Sequence, residues 1–218
     1  MSSIKLKHSG GNSVSLNPPT SAPTSTEVAF KLPNEDGSTG HFIKTDGSGN
    51  LSFAAGGGIT MADQWRRTAG VGTNDGENFL TSDWSRVGSN NYMGTIPTDT
   101  NKLMSQSGGI FTFPSTGIYY VSWQAYCEIS SSSRSNAVNI YITTNNSSYS
   151  NKASMINSVN YDTSGYSYAG GMCCALIDVT DVTQVKVKFR VYSKGSGTWD
   201  ATSGENRNCA TFIRLGDT

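Results

Sequence analysis

From Ile118 to Cys127 the side chains alternate in character, and that alternation constrains the chain more than any other feature. Val121, Trp123, Ala125 and Cys127 fall on one face of an extended segment; Tyr120, Ser122, Gln124 and Tyr126 fall on the other. Successive side chains of a strand point to opposite sides, so a one-residue slip would turn every core residue outward. The second face is not purely polar. Its two tyrosines are amphipathic aromatics of the kind found where one protein surface meets another. Just upstream, Ile110-Phe111-Thr112-Phe113 reads as a short strand and Pro114-Ser115-Thr116-Gly117 as a turn.

The same period recurs along the chain. Val185, Val187, Phe189 and Val191 alternate with Lys186, Lys188, Arg190 and Tyr192, the clearest two-residue signal present. Val138, Ile140 and Ile142 alternate with Asn139 and Tyr141 in a strand over Asn136 to Thr144. Further strands are expected over Asp63–Thr68, Phe79–Val87, Tyr166–Val179 and Ala210–Leu215. No stretch sustains a period of 3.6, so helix content should be small. With 24 glycines and only 15% charged residues, the chain suits an all-β protein with frequent turns rather than a helical bundle. Many antiparallel strands with unequal loops predict a two-sheet β-sandwich of the jelly-roll type.

Residues 1–58 read differently. Ile4–Lys7, Val28–Leu32, His41–Thr45 and Leu51–Phe53 are short strand candidates separated by turns and by a Pro/Ser/Thr-rich connector from Pro18 to Ser25. So few apolar residues cannot build a stable core alone. Intertwining with identical chains, or docking on a larger particle, would solve that problem. Ala54-Ala55-Gly56-Gly57-Gly58 is the expected hinge, which divides the chain into an N-terminal attachment or shaft region (1–58) and a head (59–218).

Charge excludes several functions. The formal net charge is zero, and residues 1–58 alone hold four lysines and four acidic residues. With no basic tail or acidic block, capture of nucleic acid is not expected. No apolar run is long enough for a membrane helix, so no membrane insertion is expected. The N-terminus lacks an apolar signal core, which predicts synthesis in a cytoplasm.

Catalytic signatures are thin. The only histidines, His8 and His41, lie in the leader, so a Ser-His-Asp arrangement in the head is not supported. Asp178 and Asp181 suit turn-capping better than paired carboxylate chemistry. Asn74-Asp75-Gly76-Glu77-Asn78 gathers oxygen ligands, but its spacing fits no helix-loop-helix calcium loop and reads as a polar turn. Cys127, Cys173, Cys174 and Cys209 have no zinc-site spacing; buried free thiols are the expected state, a disulfide the alternative. No enzyme activity, cofactor or metal is expected.

Recognition is better served by the Ser-, Asn- and Tyr-rich loops Ser130–Ser135, Asn145–Asn151, Tyr161–Tyr168 and Ser193–Asn208. Within them Asn146, Tyr166, Tyr168 and Trp199 are the candidate ligand-binding residues. Trp199 either stacks on a sugar or partner, or anchors its own loop. The stripe Lys186, Lys188, Arg190 reads as a solvated face that also discourages edge aggregation, with contact to anionic glycans or phosphates as the alternative.

The phrases carry a resemblance as well. GGIFTFPSTGIYYVSW resembles the central strand pair of the complement-type globular head, a trimeric jelly roll related to tumour necrosis factor. Ile59–Thr68 (ITMADQWRRT) and Cys209–Thr218 (CATFIRLGDT) are similar to its first and last strands. Versions preceded by a leader like IKLKHSGGNSVSL and VAFKLPNEDGSTGHFIKTDGSGNLSF occur in virion proteins of marine bacteriophages. The resemblance implies a homotrimer with Tyr120, Tyr126 and Phe212 at its interface. It implies residence in a virion assembled in the bacterial cytoplasm, attachment to other virion proteins through residues 1–58, and binding of a host surface glycan or protein by the head. A free lectin-like carbohydrate-binding trimer is the alternative.

Overall fold

The computed structural model describes residues 4–17, 19–25, 27–55, 58–88, 97–163, 167–201 and 206–218. The chain separates into two compact units, Met1–Gly57 and Gly58–Thr218.

The first unit holds two hairpins. Strands β1 (Ile4–Lys7) and β2 (Ser13–Leu16) pair antiparallel, and so do β3 (His41–Thr45) and β4 (Leu51–Ala55). The β3–β4 turn is closed by Asp46, whose Oδ1 accepts from the Ser48 amide at 2.8 Å and the Asn50 amide at 3.1 Å. Hydrogen bonding to the Asn50 side chain and the Ser48 amide holds its carboxyl below the usual range. Val28–Leu32, expected as a strand, forms only a bridge between Lys31 and Asn50. No described residue of this unit is buried, and Ile4, Leu6, Leu16, Phe30 and Leu32 stand in solvent.

The second unit is all-β apart from one 3-10 turn at Thr100–Lys102 among the described residues. Its strands are β5 (Met61–Arg67), β6 (Val71–Phe79), β7 (Trp84–Arg86), β8 (Ser105–Ser107), β9 (Ile110–Thr112), β10 (Gly117–Ile129), β11 (Ser133–Thr143), β12 (Ser150–Val159), β13 (Ser167–Val179), β14 (Lys186–Trp199) and β15 (Cys209–Gly216). One sheet runs β7-β5-β15-β10-β13 and the other runs β12-β11-β14, with β6 and β9 completing the far side of β14. They join where Cys127–Ile129 of β10 pairs with Gly197–Trp199 of β14. Every pairing is antiparallel.

The inner faces meet over an aromatic cluster. Trp123 of β10 lies 5.1 Å from Phe189 of β14 between ring centroids, and Phe111 lies 5.2 Å from Phe212. These rings are fully buried and join Val121, Val187 and Ile140 in one core. Burying such aromatics supplies much of the driving force, and their tilted and edge-on contacts add to it. The side of the sandwich between β12 and β13 is closed by Met155 and Asn157; the latter donates to the Gly170 carbonyl at 2.8 Å. A Cβ at Gly171 would lie 1.2 Å from Met155 Cε, so that glycine makes room for the seal.

A buried carboxylate anchors the opposite edge. Asp63 accepts from Arg86 Nε at 3.0 Å, Trp65 Nε1 at 3.0 Å and the Met104 amide at 3.1 Å. Arg86 also lies over the Trp65 ring, 4.7 Å from its centroid. Burial raises the Asp63 carboxyl above the usual value and outweighs Arg86 and Trp65, which pull it down.

Three expectations change. Asn74–Asn78 is not a turn but the middle of β6, with Asp75 at φ 53° where the ladder to β14 is bulged. Strand β12 occupies a stretch where no strand was expected and takes in the end of the loop expected over Asn145–Asn151. Ser193–Trp199, expected as loop, continues β14 with Ser193, Gly195, Gly197 and Trp199 all facing inward. A Cβ at Gly197 would meet the Glu128 carbonyl at 2.8 Å, so its glycine permits close approach of β10 rather than a turn.

Candidate self-association surface

The outer face of the β7-β5-β15-β10-β13 sheet is built by the same alternation that fills the core. On β10 it presents Tyr120, Ser122, Gln124 and Tyr126, and on β13 Tyr168, Met172, Cys174 and Leu176. Register places Tyr120 between Leu176 of β13 and Ile213 of β15, and sets Gln124 beside Met172. Leu176 is 70% exposed and Met172 54%. The result is an apolar patch on a sheet that is already packed on its other side.

The two ends of this face differ. Beyond Gln124 the returning segment Asn206–Asn208 covers the sheet: Gln124 Nε2 donates to the Asn206 carbonyl at 2.6 Å, and the Tyr126 amide to Asn208 Oδ1 at 2.8 Å. Tyr126 lies under the Arg207 guanidinium, 4.8 Å from its ring centroid, and stacks with Tyr168 at 5.3 Å and 29°. Arg207 in turn pairs with Asp200 at 2.7 Å. Toward Tyr120, Cys174 and Leu176 no such cover lies over the sheet among the described residues, and Leu176 stays exposed. Partial burial pushes the Tyr126 hydroxyl up to about 12 and raises that of Tyr120, so both remain neutral phenols at physiological pH.

The expected site residues are thus divided. Tyr120 and Tyr126 share this outer face, and Tyr168 joins them. Phe212 does not: it is 0% exposed, against Phe111 and Phe189, because its position in β15 places it opposite Val121 on the inner face. Trp199 is also withdrawn. It is 1% exposed, and its Nε1 donates to Ser193 Oγ at 3.2 Å, so it anchors the junction between the sheets instead of meeting a ligand. Asn146 is exposed, but it shapes its loop at φ 54° with its amide donating to the Gln184 carbonyl at 2.9 Å. Tyr166 lies outside the described residues. Met172 and Leu176 went unnoticed in the sequence; Tyr168, Met172 and Leu176 at even spacing were the signal.

The cysteines are free thiols. Cys127, Cys173 and Cys209 are buried, and burial pushes each up to about 12. Cys174 departs from the expectation of burial: it is exposed on the apolar face, opposite Ser122. Asp75 and Glu77 are paired with Lys194 and Arg190, and no cluster of metal-ligating side chains occurs among the described residues. Asp181 caps its turn as expected, accepting from the Thr183 amide at 2.7 Å, whereas Asp178 is part of β13. No helix is long and apolar enough to cross a membrane among the described residues.

Comparison with solved structures fixes the architecture. The chain is similar to the Eiger tumour necrosis factor of S. frugiperda, with TM-score 0.50 and 13% identity over 73% of this chain and 95% of that one. Murine APRIL at pH 8.5 aligns at TM-score 0.46 and 12% identity, over 71% of this chain and 98% of the other. At 13% identity the likeness to Eiger is one of fold: a tumour-necrosis-factor-like jelly roll. No protein-family model matches the sequence, and no curated protein matches it.

Proposed function

We propose that this chain is a non-enzymatic bacteriophage virion protein whose jelly-roll head assembles as a homotrimer on the particle surface. The observation that carries self-association is the bare apolar patch around Tyr120, Met172 and Leu176 on a sheet whose other face already holds the core. Gathering copies removes that patch from water. The solvent-exposed apolar side chains of residues 1–57 support a parallel role for the leader, which buries them against other virion proteins or the leaders of sister copies. The wording of the leader and of the Gly108–Trp123 segment supports the phage setting. Three copies per head then give multivalent recognition of a host surface, where avidity exceeds the strength of one site.

Light scattering on the full chain tests the assembly. The expected mass is about three times the 23.2 kDa of one chain, falling toward the monomer in Leu176→Asp. A folded wild-type monomer at micromolar concentration refutes it. Deleting residues 1–58 tests the setting: truncated heads should trimerise but fail to enter particles. Heads that enter normally overturn the attachment role, and heads never found on particles favour a free lectin-like trimer.

A further inference from the structure

The outer face of the other sheet carries a cluster that the assembly reading leaves unused. Lys188 of β14 sits between two rings, its ammonium 3.9 Å from the centroid of Phe79 and 4.3 Å from that of Tyr149. Phe79 meets Tyr141 edge-on at 5.0 Å, and Tyr141 is the direct cross-strand partner of Lys188. No carboxylate lies within ion-pair distance of Lys188 among the described residues, and burial alone pulls its ammonium below the usual range. Its neighbours on the stripe are committed. Arg190 pairs with Glu77 and donates to Asn139 Oδ1 at 3.1 Å; Lys186 donates to Thr112 Oγ1 at 3.0 Å and the Val182 carbonyl at 2.8 Å.

The loop that leads into Tyr149 is ordered by its own hydrogen bonds. Thr143, buried at the end of β11, accepts from the Asn145 amide at 3.2 Å and the Ser147 amide at 3.3 Å. Asn145 Oδ1 accepts from the Ser148 amide at 2.8 Å, and the Asn146 amide is tied to Gln184. A preformed ring costs less to use than one that must be ordered on binding.

We propose that this face binds an acidic saccharide, with Lys188 pairing one sugar carboxylate and the exposed edges of Tyr149 and Phe79 on either side of it contacting the C–H groups of the sugar. A single uncompensated cation matches one negative charge at a time, whereas a polyphosphate needs several cations in a row. Lys188 and Tyr141 are partners inside the β14–β11 ladder, so the centre of the site offers a peptide side chains rather than a strand edge. Partly exposed rings beside an ammonium suit a sugar, which has apolar C–H patches and a carboxylate together. This inference rests on the head being a surface-recognition module. It uses the sheet opposite the self-association patch, so the site stays open when copies gather.

Titration calorimetry of the full chain with an oligogalacturonate tests it, with the neutral methyl-esterified oligomer, polyglutamate and a single-stranded oligodeoxynucleotide as comparisons. The uronate should bind. Lys188→Met, which keeps an unbranched stem between the rings, and Tyr149→Ala should each weaken binding by about tenfold or more. Lys188→Arg should retain it, and the neutral oligomer should bind as poorly to wild type as the uronate does to Lys188→Met. Absence of uronate binding, unchanged affinity in Lys188→Met, or equal binding of polyglutamate or the oligonucleotide overturns the proposal. Light scattering on the same samples separates the outcomes. A trimer that ignores uronate sinks this site alone, and a monomer that binds it sinks the assembly.

Discussion

The two ends of the sandwich interior are built from opposite materials. At one end Tyr119, Val121 and Trp123 of β10 face Phe189 and Val187 of β14 and Ile140 of β11, with Phe111 and Phe212 filling the space between. At the other end the same strands present Ala125 and Cys127, then Ser193, Gly195 and Gly197, then Asn136. The aromatic end holds the sheets apart by the thickness of its rings and stabilises by burial. The glycine end lets the sheets converge until β10 and β14 share hydrogen bonds, and its stability rests on close backbone approach, on the buried Trp199 and Ile129 at the junction and on a few polar contacts. One strand can thus serve two kinds of packing, separated by a change of side-chain size within a single register.

The comparison is broken most severely at the aromatic end. Phe189→Ala removes a ring that touches Trp84, Phe111, Trp123 and Phe212, and should cost about 4 kcal/mol of stability in denaturant unfolding. Asp63→Ala comes next at about 3 kcal/mol, because it strips a partly buried Arg86 of its carboxylate and leaves the Met104 amide without an acceptor. Asp63 also sets a pH dependence. Its folded carboxyl titrates above the reference 3.8, so the folded state holds the proton more tightly than the unfolded one. Its contribution is therefore greatest below 3.8 and declines as pH rises through the raised value. Unfolding midpoints measured across that window should lose this downward component in Asp63→Asn. An unchanged profile would show that Arg86 fully offsets burial.

The aromatic end was legible in the sequence because large apolar residues alternate with polar ones at Ile118–Cys127 and Val185–Tyr192. The glycine end was not. Ser193-Lys194-Gly195-Ser196-Gly197-Thr198 has turn composition, yet it is strand, since small residues there answer to the nearness of β10 and not to a reversal of the chain. For the same reason Trp199 stayed open between ligand contact and anchoring, and Phe212, an aromatic near a terminus, gives no hint of its face until the register with Val121 is known. In β6 the Asn-Asp-Gly signal is real but is used in a bulge, where Asp75 takes a positive φ without ending the strand. Of the recognition features, the lysine stripe was visible, but its meeting with Tyr149 and Phe79 depends on long-range pairing across β14.

At the glycine end, Gly197→Val sharpens the comparison. A Cβ there meets the Glu128 carbonyl at 2.8 Å and Ile129 Cδ1 at 3.0 Å, so β10 must retreat from β14. The cost should be about 2 kcal/mol, as for overpacking elsewhere, with Trp199 fluorescence shifting to the red as water enters the junction. The same substitution at Gly88, where nothing lies within 4 Å, should be almost silent.

The smallest effect tests whether polar contacts matter at that end at all. Ser193 Oγ is the acceptor for the buried Trp199 Nε1, and Ser193 itself is fully buried. Ser193→Ala keeps nearly the same volume and leaves the indole N–H without a partner, which should cost about 1 kcal/mol. Ser193→Gly would confuse this with backbone freedom, so alanine is the cleaner probe. Comparing Trp199→Phe alone and combined with Ser193→Ala isolates the bond: once the indole is gone, the serine substitution should lose most of its penalty. If Ser193→Ala is equally costly with phenylalanine at 199, the serine stabilises the junction through packing and not through its bond to the indole.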